Sequence, residues 1–152
     1  MTPTAASKRV IADRLDLIDS FLREIRSLPL GNQALFFVDR RNILSAESCL
    51  RRSLEALFDI GRHILARGYG LGVSEYKEIA LRLREKAVLT GTEADLLTIL
   101  AGYRNRLVHF YHEVSEEELF QISSNQLGDL ELIQSAYRRW MKEHPEKLDS
   151  TL

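Results

Sequence analysis

Residues 43–64, ILSAESCLRRSLEALFDIGRHI, decide how this chain folds. Ile43, Ala46, Leu50, Leu54, Leu57, Gly61 and Ile64 recur at steps of three and four, which lays them along one side of an α-helix. The pattern starts near Gln33 and stops at Gly68-Tyr69-Gly70-Leu71-Gly72, a glycine-rich helix terminator. The spacing predicts one helix of roughly 30 residues, far longer than the usual globular helix of about 11–12. A helix of that length suits an elongated bundle or a dimer contact.

The same period extends in both directions. Upstream, Ile11, Leu15, Ile18, Leu22 and Ile25 form one stripe, ended by Pro29 and Gly31. Downstream, Ser74 is placed to cap a shorter helix carrying Tyr76, Ile79, Leu83 and Ala87, closed by Thr90 and Gly91. Thr92 and Asp95 fit a capping box that opens a fourth helix with Leu96, Leu100, Tyr103 and Leu107. Ser115 and Glu118 fit a second box, so the fourth helix must stop by about His112. A fifth helix carries Leu119, Ile122, Leu130, Ile133, Tyr137 and Trp140, with a weak spot at Ser123-Ser124-Asn125 and Gly128, and ends at Pro145. No strand, internal repeat or low-complexity segment is expected. The fold class is all-α, an antiparallel bundle of about five helices over residues 9–144, with a frayed leader at 1–8 and a tail at 145–152.

Composition narrows the function classes. Of 152 residues, 45% are hydrophobic and 28% charged, ordinary for a soluble domain, and the net charge of −1 offers no global field for a polyanion. Any such site must be a local patch. Six arginines lie between Arg40 and Arg67 against Glu47, Glu55 and Asp59, which reads either as that patch or as a solvated helix face. The single cysteine, Cys49, excludes an internal disulfide and, on an apolar stripe, reads as a buried thiol. With no signal peptide and no apolar run near the roughly 20 residues that span a bilayer, the expected location is cytoplasmic, with no membrane contact.

Chemistry concentrates in Arg104-Asn105-Arg106-Leu107-Val108-His109-Phe110-Tyr111. On an ideal helix Arg104 and His109 stand about 140° apart, whereas Asn105 and His109 share a face. One copy therefore presents a band of polar groups at a helix end, and a second copy would turn the band into a cleft. Imidazole moves protons near neutral pH, and guanidinium grips phosphate oxygens. Together they suit attack of an RNA 2′-hydroxyl on its own phosphodiester without a metal. The alternative for the same residues is a helix C-terminus whose cations offset the dipole. Asp59 and His63, at i and i+4, lack a third ligand, so a hydrogen bond between them is expected and no metal. No phosphate loop follows a strand, and no cofactor is expected.

RNRLVHFY resembles the signature of HEPN-domain proteins, an arginine, a polar residue, a short spacer and then a histidine, and more closely that of HepT toxins, whose signature extends to His-x-Tyr. Here that gives Arg104, the polar Asn105, His109 and Tyr111. The resemblance extends over roughly residues 9–142, through Asp59-Ile60-Gly61-Arg62-His63-Ile64 and the helix from Tyr76. A second spacing, Arg106 to His112, is less favoured because Leu107 follows Arg106. The resemblance implies a homodimeric ribonuclease toxin acting on mRNA or tRNA, with Arg104 and His109 catalytic and Asn105 supporting. It implies an MNT-type nucleotidyltransferase antitoxin that transfers AMP to Tyr111. Phe110 departs from the small residue common there. The runner-up is a non-catalytic HEPN-like module that docks the nucleotidyltransferase.

Overall fold

The computed structural model describes residues 5–108 and 114–149. Its elements in chain order are β1 (Ala6–Ser7), α1 (Lys8–Arg26), α2 (Gln33–Val38), α3 (Arg40–His63), a π-helical turn (Ile64–Gly68), α4 (Tyr76–Glu85), α5 (Gly91–Val108), α6 (Glu116–Asn125), α7 (Leu127–Glu143), a 3₁₀ turn (Pro145–Lys147) and β2 (Leu148–Asp149). The all-helical bundle expected from the sequence is present, and α3 is its axis: α1, α2, α4, α5, α6 and α7 all pack on it. The stripe of α1, from Ile11 to Ile25, is buried throughout, as are Leu50, Leu54, Leu57 and Ile64 on the α3 side. Among the described residues no helix is long and apolar enough to cross a membrane.

The long second helix is not continuous. Asp39 adopts an extended backbone, and its carboxylate accepts from the Arg41 N–H, starting α3 afresh. Asn32 caps α2 from the other end, and the Asn42 amide covers the carbonyls of Leu35 and Phe36. The break lets Phe36 turn fully inward against the ring of Phe120, 5.0 Å away. The fifth helix is likewise two helices, α6 and α7, meeting at Gln126, whose side-chain oxygen accepts from the Tyr103 hydroxyl at 2.8 Å.

Two capping boxes behave differently. That of the fourth helix is made by Thr90 and Glu93, not Thr92 and Asp95: the Thr90 N–H donates to Glu93 at 2.9 Å and the Glu93 N–H donates to Thr90 Oγ1 at 3.2 Å. Both pairs have the right spacing. Glu93 also takes Arg139 of α7 on both oxygens, which holds its carboxyl below the usual range and favours the earlier start. At Ser115 the expected cap is in place, accepting from the Glu118 N–H at 3.1 Å.

The chain ends also differ from expectation. Residues 6–7 pair in parallel with residues 148–149, so neither 5–8 nor 145–149 is loose. Ala6 is fully buried, Ser7 caps α1, and the Ser7 N–H donates to His63 Nε2 at 2.8 Å. Polar composition hid this because two backbone pairs need no side-chain pattern.

The glycine terminator works as expected. Gly70, at φ +68°, is the left-handed residue after the π turn, and the Leu71 N–H returns to the Leu65 carbonyl at 2.9 Å. Gly61 has a different task. A Cβ there would lie 2.9 Å from Leu83 Cδ1 and Tyr137 Oη, so its lack of a side chain lets α4 and α7 close on α3. Tyr137 is fully buried, its hydroxyl donates to the Leu57 carbonyl at 3.0 Å, and burial pushes its phenol pKa far up.

Candidate active site

Arg104 lies on the last described turns of α5, where the helix passes α3 and the start of α4. Its side chain is only 24% exposed, so contacts here are less screened than those of surface pairs. Among the described residues, three groups surround the guanidinium. Glu55 of α3 accepts from Nη2 at 3.2 Å. The Tyr76 ring, at the first residue of α4, lies under Cζ, 4.4 Å from the ring centre. Asn105 Oδ1 stands 3.5 Å from Nη1, at the outer limit of a hydrogen bond. The Nε–H is buried with no partner among the described residues.

Each of the first two neighbours is itself held. Glu55 takes Arg51, one helical turn earlier, on its other oxygen at 3.3 Å. Tyr76 stacks on the buried Phe58, ring centres 4.6 Å apart and planes within 4°. Arg62 approaches the same ring at 5.7 Å and pairs with Asp59 at 3.1 Å. Beside Glu55, a groove of about 310 Å³ between α1 and α3 is lined by Arg14, Phe21, Arg52 and Asp59 among others.

The arginine run is thus largely paired: Arg40 with Glu116, Arg41 with Asp39, Arg51 with Glu55 and Arg62 with Asp59. The expected Asp59–His63 hydrogen bond is not the arrangement seen. Asp59 goes to Arg62, and His63 faces the Ser7 N–H with its pKa lowered by burial and then by Arg67 and Arg14. Among the described residues no three His, Cys, Asp or Glu side chains cluster as metal ligands would.

The remaining motif residues divide. Arg104 and Asn105 are described and lie together. His109, Phe110, Tyr111 and His112 lie outside the described residues, and so does the stop expected for the fourth helix by about His112. Arg106, the arginine of the less favoured spacing, donates to both oxygens of Glu118 on α6 and so bridges the chain on either side of that segment. Sequence reading missed Glu55 and Tyr76. Glu55 was one acid among three in the arginine run, and Tyr76 one apolar position in a stripe. Nothing in their spacing connects them to residue 104, since three separate helices bring them there.

The fold has likenesses among proteins of known structure. The bundle is similar to the tri-AMPylated Shewanella oneidensis HEPN toxin in complex with an MNT antitoxin, with a TM-score of 0.76 and 22% identity over 86% of this chain and 97% of that one. It is similar to a toxin–antitoxin complex with AMP-PNP, with a TM-score of 0.74 and 22% identity over 84% of this chain and 97% of that one. It also matches YutE from Bacillus subtilis, a cytosolic protein of unknown function, with a TM-score of 0.76 and 18% identity over 99% and 100% of the two chains. At these identities the likeness is one of fold. No curated protein matches by sequence. The model of the HepT-like ribonucleases matches residues 11–136, most of the chain, and this protein therefore belongs to the HepT-like ribonuclease family.

Proposed function

We propose that this chain is the ribonuclease toxin of a toxin–antitoxin pair, cutting RNA without a metal through Arg104 and His109. The observation that carries the reading is the arrangement of Arg104: a part-buried guanidinium held by a carboxylate and a ring, five residues before the motif histidine. His109 takes the proton of an RNA 2′-hydroxyl, O2′ attacks phosphorus, and the P–O5′ bond breaks. The leaving 5′-oxygen takes a proton from an imidazolium, leaving a 2′,3′-cyclic phosphate and a 5′-hydroxyl. Arg104 balances the charge that grows on the phosphoryl oxygens, and Asn105 supports it. DNA, with no 2′-hydroxyl, resists.

Two copies complete the site in this reading. Ile99 on α5 is 55% exposed and sits one turn from Gly102, where a Cβ would meet nothing within 4 Å, so α5 offers a face for close approach of a second helix. The fold likeness to toxins solved with MNT antitoxins supports a nucleotidyltransferase partner. That partner transfers AMP from ATP to the Tyr111 hydroxyl with release of pyrophosphate. The added phosphate and bulk next to the motif compete with the RNA backbone.

One observation favours the alternative, a non-catalytic module that docks the nucleotidyltransferase: Glu55 already occupies one donor edge of Arg104. Incubation of the purified, unmodified protein with RNA in EDTA separates the two. Cleavage that disappears in Arg104→Ala and His109→Ala supports the ribonuclease, and intact RNA sinks it. Intact mass after incubation with partner and ATP tests the switch: AMP additions lost in Tyr111→Phe support it, and an unchanged mass refutes it.

A further inference from the structure

We infer that Glu55 and Tyr76 are positioning residues that aim the Arg104 guanidinium, a step that rests on the ribonuclease reading above. The two residues constrain different degrees of freedom. The Glu55 carboxylate accepts from Nη2 at 3.2 Å and sets the direction of the fork. The Tyr76 ring, 4.4 Å from Cζ, sets the height and tilt of its plane. An arginine side chain otherwise samples many rotamers, and fixing it before substrate arrives removes that cost from the reacting complex.

Both restraints are backed by a second contact. Arg51 holds the far oxygen of Glu55 at 3.3 Å, so the carboxylate cannot swing freely with Arg104. Phe58, fully buried, stacks on Tyr76 with planes within 4°, so the ring cannot tilt. α3 and α4 therefore deliver a fixed bed, and α5 lays the arginine on it.

A purely structural role accounts poorly for the rest of the geometry. The Arg104 Nε–H is buried and bonded to nothing among the described residues, a loss that a stabilising arginine would avoid. Arg106, two residues on, shows what a bracing arginine looks like here, with a carboxylate taken on both oxygens. At Arg104 one edge is tied and the plane is supported, while among the described residues Nη1 has only the long contact to Asn105. Nη1 is the atom left to meet a phosphoryl oxygen. Aiming also fixes the sign of the effect. If Glu55 positions Arg104, its loss slows cleavage; if it merely competes with RNA for the guanidinium, its loss speeds cleavage.

The experiment measures kcat and KM on an RNA oligonucleotide, in EDTA, for full-length Glu55→Ala, Glu55→Gln, Tyr76→Leu and Tyr76→Phe. The expected result is a fall in kcat of about 10- to 100-fold in Glu55→Ala and Tyr76→Leu, with KM changed less than about threefold. The conservative variants recover most of it, because glutamine still offers an oxygen to Nη2 and phenylalanine keeps the ring face. A rise in kcat/KM for Glu55→Ala overturns the inference, as does a Tyr76→Phe loss equal to that of Tyr76→Leu. A second measurement needs no cleavage. The ¹⁵N resonance of Arg104 Nε–H, assigned with Arg104→Lys, is expected as a sharp, slowly exchanging signal that broadens or vanishes in Tyr76→Leu while the rest of the spectrum holds. An unchanged signal overturns the inference even in an active enzyme. A wild-type protein that shows the signal and leaves RNA intact refutes the ribonuclease reading while the restraint on Arg104 stands.

Discussion

Arg106 on α5 and Glu118 on α6 face each other through two hydrogen bonds of 2.8 and 2.5 Å, one on each side of the segment that carries His109 and Tyr111. Both side chains are about a third exposed, which puts the pair between surface and buried behaviour. A double-mutant cycle of Arg106→Ala and Glu118→Ala, read by chemical denaturation, is expected to give a coupling of about 1 kcal/mol. Additive single effects would mean that the bridge does not form in solution.

Arg104→Lys tests the fork. Lysine keeps the charge but loses the planar, multiply donating head that lies over Tyr76. RNA cleavage is expected to fall by about 100-fold or more, with the thermal midpoint nearly unchanged. Activity within a few-fold of wild type would leave only charge to explain residue 104.

Gly61→Ala has two opposed effects. Helix propensity gains about 1 kcal/mol. Against it, the new methyl meets Leu83 and Tyr137 at 2.9 Å and Ile79 at 3.0 Å, all three in the core. Overpacking of this kind costs about 1–3 kcal/mol, and Tyr137 cannot move without giving up the Leu57 carbonyl. Net destabilisation is expected in urea unfolding, and a gain in stability would show that α4 can yield.

His63 is expected to make the bundle sensitive to mild acid. Its folded pKa lies below the ordinary value of about 6.5, through burial first and then Arg67 and Arg14. The unfolded chain therefore binds the proton more readily. The stability contributed is full above about pH 6.5 and is lost as pH falls from there through the lowered folded value. Protonation also removes the acceptor for the Ser7 N–H, a hydrogen bond worth roughly 1 kcal/mol, and so loosens β1. Thermal midpoints at pH 7.5 and 5.5 should diverge in wild type and converge in His63→Gln. The paired carboxylates of Glu93 and Glu131, whose pKa values are also lowered, act at still lower pH.

Ala87 sits at φ +59°, just after α4, where the Val88 N–H returns to the Leu83 carbonyl at 2.9 Å. This is a left-handed helix cap filled by a residue with a Cβ, which costs about 1–2 kcal/mol. Ala87→Gly relieves that strain but adds about 0.4–1 kcal/mol of unfolded-chain freedom. A net gain of up to about 1 kcal/mol is expected in equilibrium unfolding. A loss would mean that the loop after α4 tolerates the alanine without strain.

The helical fold was legible in the sequence because burial on one side of a helix repeats every three to four residues wherever the helix packs. The stripe from Ile11 to Ile25, the terminator at Gly70 and the cap at Ser115 are local facts, and each stands where the pattern puts it. The breaks at Asp39 and Gln126 were not legible. Apolar spacing runs through them, and what decides them is non-local, the Phe36–Phe120 contact and the Tyr103–Gln126 hydrogen bond. The choice of Thr90 over Thr92 belongs with these, since Arg139 reaches Glu93 from a helix 46 residues away. In the site, the arginine and its polar neighbour could be read as a string. That Glu55 and Tyr76 hold Arg104 was decided by tertiary structure alone, because a helix states its own faces in sequence but not which residue of another helix will lie against them.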